Sequence, residues 1–357
     1  MVGSGPRSAH ASASAHRWPW GLVAGAGTVG VMLVGIGLLA FGMRDRVTPR
    51  RAAAPLDIAG LASGPLTSFD SSGLFSGPPL GNREARDVAP SVVRIEGAGT
   101  GSGVIVRGDG IVLTSAQLVG SLPDVNVTLE DGTSQTATIR GTDPVTGLAV
   151  VDLPGEGFTP AGLVSPDGLA PGGTVLCAGV NDDGFTTAPG TLTKPLTHTT
   201  TPEGDPVDGV LQITPQTTTY PTMLGSAVVD GSGSMLALTT WTDSLSYYAT
   251  PMKVAAKVAD DLLATGSARH AWVGILGTDA PGGGGVQLTE VDPDGPAAGS
   301  LQVADVITEL DGKRVADMST LVSRLQLKSP GDRVDVTYQR DGLTAETELV
   351  LTSLSPE

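Results

Sequence analysis

The sequence predicts a mainly β protein, and three observations support this prediction. The chain contains 50 glycines among its 357 residues, which favours a turn-rich fold. Aromatic residues make up only 4% of it, so the cores must rest on valine, leucine, isoleucine and alanine. From Asp87 onwards, short β-branched segments follow one another between turns that contain Gly, Asp or Pro. The length leaves room for two globular domains and additional segments.

The clearest strand pair lies within Gly101–Gly120, GSGVIVRGDGIVLTSAQLVG. Its apolar runs 104–106 and 111–113 flank the turn Gly108-Asp109-Gly110, which predicts a β-hairpin. Further short strands are predicted on both sides of it, and together they suffice for a six-stranded barrel. They lie at 91–95, 125–129, 136–139 and 148–153.

The second half of this region shows the same pattern of short apolar segments separated by turns. Its predicted strands lie at 173–180, 187–193, 209–214, 226–230 and 234–241. A helix follows from Met252 to Leu263, with apolar residues at helical spacing and Gly266 as its cap.

The N-terminal part is predicted to anchor the chain in a membrane. After a polar tail at residues 1–20, residues 21–43 carry no charge and span about 35 Å as a helix, enough to cross a bilayer. The alternative is a cleaved signal peptide with Ala40-Phe41-Gly42 as its cleavage site, although the apolar run is long for one. Residues 44–86, rich in Pro, Gly, Ser and Ala, predict a flexible linker.

Charge and cysteine content exclude several functions. The net charge is −16, and residues 1–51 hold six arginines and one aspartate, which leaves 15 basic and 36 acidic residues elsewhere. Such a domain is repelled by nucleic acid, so we expect no nucleic-acid partner. Cys177 is the single cysteine and lies in an apolar run, so we predict a buried thiol and no disulfide. We predict no metal site and no cofactor.

The hairpin segment closely resembles the HtrA (Deg) family of serine proteases, in its membrane-anchored bacterial, actinobacterial-type form. In that family the same hairpin is followed by Thr-Asn-Ala-His, whose histidine is the general base. Here the four residues are Thr114-Ser115-Ala116-Gln117. The primary amide of Gln117 has no nitrogen that accepts a proton near neutral pH, so this side chain cannot act as the base.

Two further segments carry the resemblance and the same kind of loss. The run from Asp143 to Val151 matches the family's Asp-x-x-x-Asp-Leu-Ala-Val-Leu, and its second Asp is replaced by Gly147. The run from Pro221 to Val229 matches Pro-Gly-Asn-Ser-Gly-Gly, with Leu224 at the nucleophile position and Thr222 at the glycine that shapes the oxyanion hole. The resemblance therefore implies a chymotrypsin-like double barrel over residues 87–267 whose catalytic triad is degenerate.

This loss predicts a pseudoprotease, in which Gln117 and Leu224 pack against each other or fill the former cleft. The alternative is an active serine endopeptidase with a non-standard site, for example a serine paired with Lys194, Lys253 or Lys257. Two histidines lie within the folded region. We expect His198 in a polar loop and His270 at the domain junction, both solvated.

Residues 268–355 resemble a PDZ domain. The stretch Ala271-Trp272-Val273-Gly274-Ile275 is similar to the family's carboxylate-binding loop and the strand after it. A Pro-Ala-Ala segment at 296–298 and Asp305–Gly312 match later motifs, with Ala304 in place of the usual glycine. The resemblance implies a peptide groove that binds polypeptide C-termini. Its predicted residues are Trp272, Val273, Gly274, Ile275, Leu321 and Leu325.

The resemblance also implies where the protein works. It places the large domain outside the cytoplasm of a single-pass membrane protein, although the arginines after residue 43 favour the opposite orientation under the positive-inside rule. The predicted partners are polypeptide C-termini or envelope proteins. A third reading is an oligomerising scaffold, since HtrA-like barrels commonly form trimers.

Overall fold

The structure is a computed structural model that describes residues 87–166, 169–200, 206–216, 223–243 and 245–353. The predicted tail, membrane helix and linker, residues 1–86, lie outside these ranges. Within them, no helix is long and apolar enough to cross a membrane.

Six short antiparallel strands close into a first barrel in the order β1-β2-β3-β6-β5-β4. Its interior is filled by aliphatic side chains such as Ile95, Ile105 and Val127, which are fully or almost fully buried. The predicted turn after β2 is present, and Gly110 adopts a φ of +94° there. The strands are β1 (Val92–Glu96), β2 (Thr100–Arg107), β3 (Ile111–Ser115), β4 (Asp124–Thr128), β5 (Ser134–Asp143) and β6 (Leu148–Asp152).

A second barrel closes in the order β10-β11-β12-β9-β8-β7. Cys177 lies in its core with no exposed surface, as predicted, and burial raises the pKa of this thiol to about 12. The thiolate is therefore scarce near neutral pH. The strands are β7 (Thr174–Asn181), β8 (Gly184–Thr200), β9 (Pro206–Pro215), β10 (Ala227–Val229), β11 (Met235–Thr242) and β12 (Tyr247–Pro251).

Within the described residues, two α-helices accompany the barrels, and a 3-10 turn (Ala89–Ser91) precedes β1. Helix α1 (Ala116–Val119) is a single turn after β3, and α2 (Met252–Thr265) follows β12. One face of α2 packs into a hydrophobic cluster shared by both barrels. The predicted cap is confirmed, since Gly266 adopts a φ of +80° and donates its N–H to the carbonyl of Leu262.

The C-terminal part forms a mixed unit of strands and one helix, α3 (Met318–Leu325). Its main sheet has the order β14-β15-β16-β18-β19, so β14 lies at one edge. The carboxylate of Asp305 is buried and accepts two hydrogen bonds from Arg340, both 2.7 Å long. The strands are β13 (Ala271–Trp272), β14 (Ile275–Asp279), β15 (Val286–Val291), β16 (Val306–Leu310), β17 (Lys313–Arg314), β18 (Arg333–Arg340), β19 (Leu343–Val350) and β20 (Thr352–Ser353).

The C-terminal unit contacts both barrels. Gln326, just after α3, donates its amide to the carbonyl of Asp208 on β9 at 3.3 Å. A Cβ at Gly209 would lie 2.9 Å from the Gln326 Oε1 atom, so the helix packs closely on this strand. The ring Nε2 of His270 lies 2.9 Å from the Asp143 carboxylate at the end of β5.

Candidate functional site

The structure brings together the three segments that we predict to correspond to a catalytic triad. The N–H of Ala116, next to Gln117, donates to the carbonyl of Gly147 at 2.8 Å. The N–H of Ser102 donates to the carbonyl of Leu224 at 2.9 Å. The first bond lies within the first barrel, and the second joins β2 to the segment before β10 of the second barrel. Gly147 also lies against Thr240 and Trp241 of β11, so the three positions lie close to the cleft between the barrels.

Gln117 lies in helix α1 and is exposed to solvent. Its backbone N–H donates to the Ser115 hydroxyl, which caps this short helix, at 3.3 Å. The Ser115 hydroxyl in turn donates to the carbonyl of Thr240 in the second barrel at 3.0 Å. The turn that carries Gln117 is therefore fixed in place, while the expected packing of its side chain into the cleft does not occur.

Gly147 has no side chain, and the space next to it is occupied. Its φ is +70°, a conformation that favours glycine. A Cβ at this position would lie 2.7 Å from Nε1 of Trp241 and 3.1 Å from Cβ of Thr240. Trp241 therefore stands where a side chain of residue 147 would have to go.

Leu224 is half-buried, and its side chain packs against the core of the first barrel. The neighbouring Gly225 has a φ of +74°, and a Cβ there would lie 1.8 Å from the carbonyl oxygen of Ser102. The tight turn of a nucleophile segment is thus present, with an apolar side chain at its tip. The other predicted position in this segment, Thr222, lies outside the described residues.

The serines around the cleft are buried and hydrogen-bonded to groups that are not bases. Ser226 donates its hydroxyl to Thr239 at 3.0 Å, and the Ser102 hydroxyl accepts the N–H of Val180 at 2.8 Å. Among the lysines considered as partners, Lys257 donates to Asp261 at 3.2 Å. In these contacts neither serine hydroxyl is bonded to a histidine, lysine or carboxylate that could act as its base.

The sequence predicted the surroundings of the two histidines of the folded region only in part. The His198 side chain is 54% exposed, as predicted, but it lies in strand β8 and not in a loop, with its Nδ1 2.8 Å from Asp208. His270 lies between α2 and β13, at the predicted junction, but its side chain is only 12% exposed and pairs with buried Asp143. The length of β8 and a contact between distant segments explain the two errors.

Asp143 lies at the centre of a buried polar cluster near the cleft. Burial by itself raises the pKa of this carboxyl group. Its hydrogen bonds to His270, to the Thr146 hydroxyl and to the Val145 N–H lower the pKa by more than burial raises it. The net pKa therefore lies below its usual value, and the group is ionised at neutral pH. Within the described ranges, no group of three or more His, Cys, Asp or Glu residues is placed to hold a metal ion.

The second predicted site is the groove between β14 and α3. Strand β14 pairs with β15 along one side, and its other side pairs with no strand among the described residues. Trp272 ends β13, and Val273 and Gly274 connect it to β14. Gly274 adopts a φ of +80°, and a Cβ there would lie 2.9 Å from Cα of Gly295. An extended polypeptide can add to such an unpaired edge.

The predicted apolar residues of this groove differ in their burial. Leu321 is 2% exposed and belongs to the core, as does Val273. Ile275 and Leu325 are half-buried and pack against that core, so they can contact a bound chain. Met318 is likewise half-buried beside the core, and the sequence did not single it out.

Comparisons with known proteins agree with this arrangement. The trypsin-like peptidase domain family matches residues 101–238, and the PDZ domain family matches residues 258–351. The serine protease PepD of Mycobacterium tuberculosis is 29% identical over 355 residues, which cover 89% of this chain and 74% of PepD.

Other relatives match a smaller part of this chain. The serine endoprotease DegS of Escherichia coli is 26% identical, over 74% of this chain and 83% of DegS. A probable periplasmic serine endoprotease DegP-like of Ectopseudomonas mendocina is 28% identical over 73% of this chain, which spans 58% of that relative, less than two thirds of its length.

Solved structures share the fold. The HtrA-type protease AlgW with a tripeptide superposes with a TM-score of 0.60 at 23% identity, covering 77% of this chain and 97% of AlgW. The serine endoprotease from Yersinia pestis gives a TM-score of 0.53 at 23% identity, over 76% of this chain and 97% of that structure. At this identity the likeness establishes the architecture of two barrels and a PDZ domain.

Proposed function

We propose that this chain is a member of the HtrA-type serine protease family that binds polypeptides through its PDZ domain without hydrolysing them, and the two family matches and the similarity to PepD support this. In this proposal residues 87–267 form a protease-like domain and residues 268–355 a PDZ domain. Residues 21–43 anchor the chain in the cell membrane, with both domains on the extracytoplasmic side. The bound partners are envelope polypeptides, which the protein holds as a scaffold, adaptor or regulator.

The observation that carries the proposal is the chemistry of the cleft. A serine protease needs a nucleophile, a base and a group that orients the base, all within hydrogen-bond reach. At the three matching positions this chain has Leu224, Gln117 and Gly147. An aliphatic side chain has no nucleophilic atom, a primary amide accepts no proton near neutral pH, and glycine orients nothing.

Packing around the cleft supports the same conclusion. Trp241 lies against Gly147, and the Leu224 side chain packs on the first barrel, so the space is filled by other groups. Removal of a whole triad leaves about 10³- to 10⁴-fold catalysis over water in proteases that keep the rest of the site. That residual activity comes from the oxyanion hole and from substrate binding, and not from the triad positions.

The edge of β14 supports the binding part of the proposal. Its unpaired backbone groups, together with half-buried Ile275 and Leu325, form a surface for an extended chain. In the proposed complex the loop Trp272-Val273-Gly274 accepts a C-terminal carboxylate. Oligomers, such as the trimer that HtrA-like barrels commonly form, would gather several such grooves in one particle.

A second candidate function is a serine endopeptidase with a non-standard site. The names of the relatives favour it, because PepD and DegS are named as serine proteases. In this reading the nucleophile is one of the serines at the cleft, such as Ser226.

A serine-directed fluorophosphonate probe separates the two candidates. We expect the full-length chain to remain unlabelled under conditions in which trypsin, in a parallel reaction, labels to completion. Ser226→Ala serves as the matched variant and should also remain unlabelled. Labelling of the unmodified chain that disappears in Ser226→Ala would overturn the pseudoprotease proposal in favour of the endopeptidase.

A further inference from the structure

The groove beside β14 has two chemically different ends. At its beginning lies the loop of Val273 and Gly274. At its far end lies Asp279, the last residue of β14, whose Oδ1 accepts the N–H of Met318 at 2.9 Å. Because Met318 is the first residue of α3, this bond ties the first turn of the helix to the far end of the strand.

Two carboxylates stand next to each other at this far end. Asp279 is exposed, and Asp317 caps helix α3 by accepting the Thr320 N–H at 2.8 Å and its hydroxyl at 2.7 Å. Neither carboxylate forms an ion pair with a residue that the structure describes. Both carboxylates therefore lie at the far end of the groove without a described lysine, arginine or histidine within ion-pair distance.

The surroundings compensate for this charge only in part. Residues 268–353 hold 13 Asp and Glu against seven Lys and Arg. Asp292 and Asp294, after β15, add further negative charge beside the loop that begins the groove. Three basic side chains near the groove bond to groups elsewhere: Arg269 to Asp261, His270 to Asp143 and Arg324 to the carbonyl of Lys313. The guanidinium of Arg314 lies beside Gly284, in the turn after β14, so one positive charge offsets part of the negative charge at this end.

The length of β14 fixes which part of a bound peptide reaches this end. Asp279 lies four residues after Ile275, and at about 3.3 Å per residue this distance is about 13 Å. A peptide whose C-terminus lies at the Val273–Gly274 loop, and whose backbone pairs with β14, runs the same distance. Its fourth or fifth residue from the C-terminus then lies beside Asp279 and Asp317.

We propose that the groove selects extended polypeptides whose fourth or fifth residue from the C-terminus is a lysine or arginine. This inference rests on the proposed function, because it assigns a ligand class to the proposed peptide groove. The cation would lie against two carboxylates in a shallow, partly solvated position. The selectivity is therefore electrostatic and depends on ionic strength.

Fluorescence anisotropy with matched peptides tests this ligand class. Three fluorescein-labelled ten-residue peptides end in valine and differ at the fifth residue from the C-terminus, which is Lys, Gln or Glu. We expect the full-length chain at low salt to bind the Lys peptide about three- to tenfold more tightly than the Gln peptide, the size that one or two exposed ion pairs provide, and the Glu peptide less tightly than either. At about 300 mM NaCl the three affinities should converge.

The position of the charge is tested separately. A fourth peptide carries its lysine at the second residue from the C-terminus, and we expect it to bind like the Gln peptide. An equal gain from both lysine positions would indicate a diffuse charge effect and would overturn the positional selectivity.

The two carboxylates are tested with a variant that keeps their structural hydrogen bonds. In Asp279→Asn combined with Asp317→Asn, each side-chain oxygen still accepts its N–H, so the cap of α3 is preserved. We expect this variant to bind the Lys and Gln peptides equally, with an unchanged affinity for the Gln peptide. The control is Asp335→Asn combined with Glu346→Gln on β18 and β19, which removes two charges away from the groove and should keep the preference.

The failures of the two proposals are distinguishable. Equal binding of all three peptides by the unmodified chain, or a preference that persists in Asp279→Asn with Asp317→Asn, overturns this inference and leaves peptide binding intact. Absence of binding to every peptide overturns the proposed function, and this inference with it.

Discussion

The cleft between the barrels and the groove beside β14 are both concave strand-lined surfaces, but their unpaired groups differ. In the cleft, the hydroxyls of Ser102, Ser115 and Ser226 are buried, and each has a hydrogen-bond partner. In the groove, one strand edge pairs with no strand among the described residues, and the carboxylates of Asp279 and Asp317 accept hydrogen bonds but form no ion pair with a described residue. Groups without a partner can gain free energy when a ligand pairs with them, whereas groups that are already hydrogen-bonded must first lose their partners.

One buried group in the cleft departs from this rule. Nε1 of Trp241 has no hydrogen-bond partner in the part of the chain that the structure describes. This N–H lies against Gly147, the position at which the family resemblance implies an aspartate. The indole therefore fills the space of the missing side chain but does not replace its hydrogen bonds.

The largest effect is expected for restoring the aspartate. Gly147→Asp places a Cβ within 2.7 Å of the Trp241 ring at a φ of +70°, so the chain must shift. We expect a loss of about 2–3 kcal/mol in the free energy of unfolding, from backbone strain and overpacking together. Urea denaturation followed by circular dichroism measures this change.

A double-mutant cycle shows whether Trp241 is the cause. In a Trp241→Ala background, Gly147→Asp should cost about 1 kcal/mol less, since the clash is removed and the strain of the backbone remains. An identical loss of unfolding free energy in both backgrounds would mean that Trp241 does not fill the space beside Gly147.

A smaller effect of opposite sign is expected in the PDZ domain. Ala304 adopts a φ of +74°, the conformation for which the usual glycine of this motif is suited, and its N–H donates to the carbonyl of Leu288 at 2.9 Å. Ala304→Gly should therefore stabilise the PDZ domain by about 1 kcal/mol by relieving this strain. Thermal unfolding checks it, and a decrease in stability would show that Ala304 is not strained.

Much of the fold was predictable because it rests on local sequence. The six strands of the first barrel were predicted from alternation and turn residues, and each is present within a few residues of its predicted range. The cap at Gly266 was predicted from a single glycine after an apolar helix. Strand β8 was underestimated, because its 17 residues include Pro189 and Pro195, which normally interrupt a strand.

The sites were predictable only where motifs are contiguous in the sequence. Gln117, Gly147 and Leu224 follow from three local segments, and the structure places those segments at one cleft. Trp241 and Asp279 were missed because their roles arise from neighbours more than 35 residues away. His270 was assigned to solvent for the same reason, since its partner Asp143 belongs to another part of the chain.

The central claim is that the cleft lacks the groups needed for peptide hydrolysis, and a proteolysis assay tests it most directly. Full-length chain is incubated with unfolded casein, beside the variants Ser102→Ala, Ser115→Ala and Ser226→Ala. We predict that the casein stays intact in every reaction, at the rate of the buffer control. Cleavage by the unmodified chain that is lost in any one of the three serine variants would contradict the account.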